Sequence, residues 1–133
     1  MKTIYKPQTE WLPPESFPDL SKYDEIAIDL ETRDPNLKTM GSGSVTGRGN
    51  IVGIAVAVHD WSGYYPIRHE GGGNMDHGKV TRWLQAVLKT PAIKIFHNAM
   101  YDVCFLRSER FEIQGLIVDT MIAGSLVDEN RFR

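Results

Sequence analysis

Cysteine is nearly absent from this chain. Of its 133 residues only Cys104 is a cysteine, which excludes an internal disulfide and any multi-cysteine zinc site. Excess charge of either sign is missing too. A formal net charge of −2 supplies no broad basic field for a nucleic acid or an anionic membrane. Long hydrophobic runs are also lacking. The longest, Ile51 to Val58 with Gly53 inside it, is far too short to span a bilayer. No charged-then-apolar segment opens the chain as an export signal would. These absences lead to the expectation of a soluble, intracellular protein, cytoplasmic and without a membrane partner. What remains is an ordinary globular composition, 41% hydrophobic and 24% charged, at a length that suits one domain with a real core.

Proline is concentrated at one end. Pro7, Pro13, Pro14 and Pro18, with Trp11 and Phe17 between them, block helix and central strand, so residues 1–22 are expected to form an extended arm. The aromatics of that arm should dock on the domain that follows, residues 23–133. There, Glu25–Glu31 reads as a strand, and the apolar run Ile51–His59 reads as a strand buried on both faces. Asp60 to Gly63 can turn the chain, and Tyr64–Arg68 returns as a strand. Pro66 cannot donate to a ladder, which assigns that strand to a sheet edge. Asp76 is placed to cap a helix whose stripe is Val80, Trp83, Leu84, Val87 and Leu88. A strand at Ala92–Phe96, a helix over Ala99–Arg110, a strand at Leu116–Val118 and a helix over Thr120–Val127 capped by Asp119 complete the order. That order predicts an α/β fold, a mixed sheet flanked by helices.

Between the first two strands lies the glycine-rich segment Arg33–Asn50. It contains no GxxxxGK[ST] and is followed by a strand and not a helix, so it is not a phosphate loop. A flexible surface loop is the expectation.

Two stretches carry chemistry. In Ile26–Thr32, period two sends Ile26, Ile28 and Leu30 to one side of a strand and Ala27, Asp29 and Glu31 to the other. Two carboxylates thus share a face, about 7 Å apart. They are either a charged strand end or part of a site for a hard cation that takes carboxylate oxygen. In Phe96–Asp102, a helix capped by Asn98 sets Asn98, Tyr101 and Asp102 on one face. Phe105 and Leu106 continue that face into the core, so Asp102 is drawn toward the sheet. A buried carboxylate needs a partner, and a metal shared with Asp29 and Glu31 would be one. The plain alternative is an aspartate favoured by the helix dipole.

Other residues read as structural. Cys104 is expected to be a core thiol. His69 and His77 are poorly spaced for a metal, and His97 reads as a strand-end side chain. Trp61, Tyr64 and Tyr65 are assigned to hairpin and core, and Arg33, Lys38, Arg48 and Arg68 to solvated surface.

Asp-x-Glu closing a first strand, a hairpin, and then the HNAMYD run from His97 to Asp102 resemble the DEDD (DnaQ-like) superfamily of 3′–5′ exonucleases over residues 24–130. The likeness is closest to the proofreading domains of phage family A DNA polymerases, with further similar segments at Asp29–Leu37, Pro66–Gly72 and Asp119–Met121. The resemblance implies a ribonuclease H-like, five-stranded mixed sheet flanked by helices, and hydrolysis of the 3′-terminal phosphodiester of single-stranded DNA. It implies two divalent ions, Mg2+ or Mn2+, held by Asp29, Glu31 and Asp102 as catalytic residues. Thr32, Asn98 and Tyr101 match positions that contact the terminal nucleotides, and Leu37 matches loosely a side chain that wedges against the last bases. The family's fourth carboxylate, four residues after a tyrosine or histidine, has no counterpart beyond Asp119. The chain is therefore expected to be an N-terminal fragment, cut before the third exonuclease motif, with its polymerase domain in the same longer chain. A ribonuclease D-type exoribonuclease and a non-catalytic nucleic-acid-binding module are the alternatives.

Overall fold

The computed structural model describes residues 12–130. Five strands form one sheet in the order β3-β2-β1-β4-β5. They are β1 (Glu25–Arg33), β2 (Asn50–Val58), β3 (Trp61–Pro66), β4 (Ile93–Phe96) and β5 (Ile117–Asp119). β1 pairs antiparallel with β2 and parallel with β4, β2 pairs antiparallel with β3, and β4 parallel with β5. The mixed α/β sheet is that of the ribonuclease H-like fold, and β3 lies at its edge as Pro66 requires.

Alternation decides which face of the sheet is buried. Ile26, Ile28, Leu30, Ile54, Val56, Tyr65 and Phe96 enter the core, where they meet α3 (His77–Leu88) and α4 (Ala99–Ser108). α3 begins at Asp76, whose carboxylate accepts the Lys79 N–H at 2.8 Å, and it buries Val80, Trp83, Leu84, Val87 and Leu88. Each such side chain contributes roughly 2 kcal/mol before the entropy of ordering is set against it. The opposite face stays open. Ala27, Asp29, Ala55, Ala57, Tyr64 and His97 line a groove of about 650 Å3 there, bordered by Thr120 at the start of α5 (Thr120–Val127). β2 is therefore not buried on both faces: Val52, Ala55 and Ala57 are only half-buried.

Residues 12–22 run along the covered side. Phe17 stacks on Tyr65 at 5.5 Å, Trp83 Nε1 donates to Pro18 O and Tyr65 Oη to Ser16 O, each at 2.8 Å. Trp11 lies outside the described residues.

Three local expectations are corrected. The hairpin turn is made by His59 and Asp60 alone, with Val58 paired to Trp61, so β3 starts three residues early; the Tyr23 hydroxyl bonds Asp60 at that turn. The glycine-rich segment is not a flexible loop. It forms two short helices, α1 (Leu37–Met40) and α2 (Gly43–Thr46), because Gly43 and Gly49 pack backbone to backbone with no room for a side chain. Cys104 is exposed. The buried stripe of α4 is Ala99, Asp102, Val103, Phe105 and Leu106, and Cys104 falls with Met100 and Arg107 on the outer side.

Candidate functional site

The site forms where β1 outruns β4. Pairing between these strands ends at Ala27, and the chain after β4 leaves the sheet to enter α4. The N–H of Leu30, beyond that pairing, is accepted by Asp102 Oδ2 at 3.3 Å. Leu30 sits between Asp29 and Glu31, which are exposed on the open face, while Asp102 is only 4% exposed. Burial pushes the Asp102 carboxyl up to about 7; the Leu30 N–H opposes the shift, and the Asp29 and Glu31 charges add to it. Asp102 is thereby held against the stretch of β1 that carries the other two carboxylates.

The arrangement stops short of a ready-made cage. Among the described residues no three His, Cys, Asp or Glu side chains are gathered closely enough to hold a metal ion. The donor set itself, all carboxylate oxygen with one member buried, fits a hard divalent cation.

Thr32 and Tyr101 meet at 3.0 Å through their hydroxyls. Asn98 behaves otherwise than its expected role. It stands at the N-terminal boundary of α4 with φ 61° and ψ 59°, and its side chain makes no capping bond. Asp119 replaces it, accepting Asn98 N–H at 3.0 Å and Ala99 N–H at 2.9 Å while also capping α5 through Met121 N–H at 3.0 Å. Burial works against the Asp119 carboxylate, but these three bonds hold it below its ordinary range.

Sequence reasoning missed two further side chains. Asp34 accepts the Tyr101 hydroxyl at 2.9 Å. Tyr64 lies on the open face over Gly53, the cross-strand partner of Glu31; a Cβ on Gly53 would fall 1.9 Å from its hydroxyl. Tyr64 Oη and His69 Nε2 are hydrogen-bonded at 2.5 Å. Burial, with the Glu31 charge added, pushes the Tyr64 phenol up. A strict two-residue alternation starting from Pro66 could have put Tyr64 on that face, but only the pairing of β2 with both neighbours puts it beside Glu31.

No protein-family model matches the chain. By sequence it is 36% identical over 130 residues to a DNA-directed DNA polymerase of Pseudomonas phage M6, a match covering 91% of this chain and 19% of that protein. It is 30% identical over 84 residues to DNA polymerase I of Chloroflexus aurantiacus, covering 62% of this chain and 9% of that one. The chain thus spans only a small part of either relative's length. By structure it is similar to NrnC of Brucella melitensis, at a TM-score of 0.58 and 23% identity over 86% of this chain and 50% of that one. NrnC has also been solved with bound Mg2+ and bound to pGG. The chain is thus similar in sequence to parts of two DNA polymerases and shares the ribonuclease H-like fold with NrnC.

Proposed function

We propose that this chain is the 3′–5′ proofreading exonuclease domain of a DNA polymerase, acting on the 3′ end of single-stranded DNA. The observation that carries the reading is the buried Asp102 carboxylate bonded to Leu30 N–H between Asp29 and Glu31. Asp29, Glu31 and Asp102 would hold two divalent ions, Mg2+ or Mn2+. Ions held there would supply Lewis-acid activation of water and charge stabilisation for phosphodiester hydrolysis. Thr32, Asn98 and Tyr101 would contact the terminal nucleotides, Tyr101 by offering its ring to a base. Near-neutral overall charge is compatible with a site that grips a few unpaired nucleotides. The modest share of its relatives' length that the chain covers supports a polymerase region elsewhere in the same protein.

On this reading Asp29, Glu31 and Asp102 would be three of the four carboxylates that the exonuclease resemblance implies. Little or no shortening of a single-stranded oligodeoxynucleotide by the chain alone is the expected outcome, whereas binding of Mn2+ should persist and be lost in Asp29→Ala. Brisk Mg2+-dependent shortening abolished by Asp29→Ala would overturn the first expectation, and Mn2+ binding indifferent to that substitution the metal assignment. An RNA substrate is the second reading, suggested by the fold likeness to NrnC, which has been solved bound to pGG. A ribo-oligonucleotide bound more tightly than its deoxy counterpart would favour it. Oligonucleotide binding without any dependence on metal would favour a non-catalytic module.

A further inference from the structure

Two segments distant in sequence, the connection from β1 to β2 and α4, meet at one carboxylate beside the site. Asp34, just past β1, accepts the Tyr101 hydroxyl on Oδ2 at 2.9 Å. Its two oxygens also accept the Gly43 N–H, at 3.0 and 3.1 Å. Because Tyr101 has a single hydroxyl proton and it goes to Asp34, the 3.0 Å contact with Thr32 has the threonine as donor. Phe105 holds the other side of the Tyr101 ring, at 5.1 Å between centroids. Gly43 leaves no slack in this arrangement: a Cβ there would stand 2.5 Å from Gly49 N and 2.7 Å from Asp34 Oδ1.

We propose that Asp34 is a positioning residue for nucleotide binding, fixing the Tyr101 ring and seating the glycine-rich segment against it as one preformed wall. This rests on the reading of Tyr101 as a nucleotide contact. A ring already held in its binding orientation spares the complex the entropy of ordering it, which is how a residue that touches no substrate can raise affinity. The three-centre bond from the Gly43 N–H ties the chain between β1 and β2 to the same point.

The test is a double-mutant cycle on the 133-residue chain, read by anisotropy of a labelled single-stranded oligodeoxynucleotide and by NMR of the Tyr101 ring. Asp34→Ala and Tyr101→Phe should each weaken binding about fivefold, the loss of one hydrogen bond's net worth. The double variant should be no weaker than either single one, because both remove the same link. Asp34→Asn, which keeps an acceptor for the Tyr101 hydroxyl, should bind more tightly than Asp34→Ala. Tyr101 ring resonances should move in Asp34→Ala and stay in Asp34→Asn. Losses that multiply in the double variant, or Asp34→Ala binding as the parent does, would overturn the proposal. If Asp34→Ala does not fold, an Asp34→Asn variant that keeps the Tyr101 resonances but matches Tyr101→Phe in affinity does so instead. If the parent binds no oligonucleotide, the nucleotide reading fails, and unchanged Tyr101 resonances in Asp34→Ala would separately refute the positioning.

Discussion

Asp102 shows how a single residue can carry a cost that its surroundings impose. The residue is 4% exposed, and burial, which disfavours the charged form, pushes its carboxyl up to about 7. In the unfolded chain it titrates near 3.8. Between about pH 4 and 7 the folded state therefore keeps a proton that the unfolded state has released, so stability falls as pH rises through that window. The full shift corresponds to something on the order of 4 kcal/mol. In metal-free buffer Asp102→Asn should unfold at higher urea than the parent at pH 8 and at similar urea at pH 4. A variant as steeply pH-dependent as the parent would refute the burial account. The inward direction of Asp102 could be read from its spacing to Phe105 and Leu106. The contacts of Asp34 and Tyr64 could not, because each depends on a partner brought close only by folding. Lys94 is a further case: it is fully buried, and its ammonium donates to the carbonyls of Thr90, Ala92 and Gln114 at 2.6, 2.9 and 2.7 Å. Nothing in its sequence neighbourhood announces that.

At the scale of elements, β1 and α4 set the geometry, and Asp119 joins them to the rest. Placing one carboxylate over the first N–H groups of α4 and α5 together satisfies donors that neither helix can satisfy itself. Asp119→Ala should destabilise the chain by about 1–2 kcal/mol, as loss of a cap does. It should also disturb the amide signals of Asn98 and Ala99 in an NMR spectrum; undisturbed signals would mean that α4 starts without it. The irregularity between Glu31 and Thr32 is a second such device. Glu31 pairs with Gly53 but Thr32 with Ile51, leaving Val52 as the extra residue on β2. A bulge bends the strand that carries it, and just past this point on the partner strand Thr32 meets the Tyr101 hydroxyl at 3.0 Å. Element order and type were legible because the periodicities were strong. The start of β3 and the two short helices were not, since a two-residue turn and a close glycine contact leave no periodic trace.

On the scale of the whole molecule, one side of the sheet is packed and the other is open. Phe17 joins the packed side, stacked on Tyr65 and 6.0 Å from Trp83. Phe17→Ala should cost roughly 2 kcal/mol, less than a fully buried aromatic because Phe17 is half-buried, and should change tryptophan fluorescence; an unaltered urea midpoint would show that residues 12–22 add nothing to the fold.

Composition, the alternation along β1 and the helical stripe of α3 were enough to set the fold class, the edge position of Pro66 and the common face of Asp29 and Glu31. Those are properties of neighbours along the chain, within reach of a strand's or helix's repeat. That Asp102 stops on Leu30 N–H, that Asp119 and not Asn98 caps α4, and that Asp34 and Tyr64 flank the carboxylates were decided by tertiary structure. Each joins residues at least 20 positions apart, and no local repeat encodes which distant groups a folded sheet will bring together.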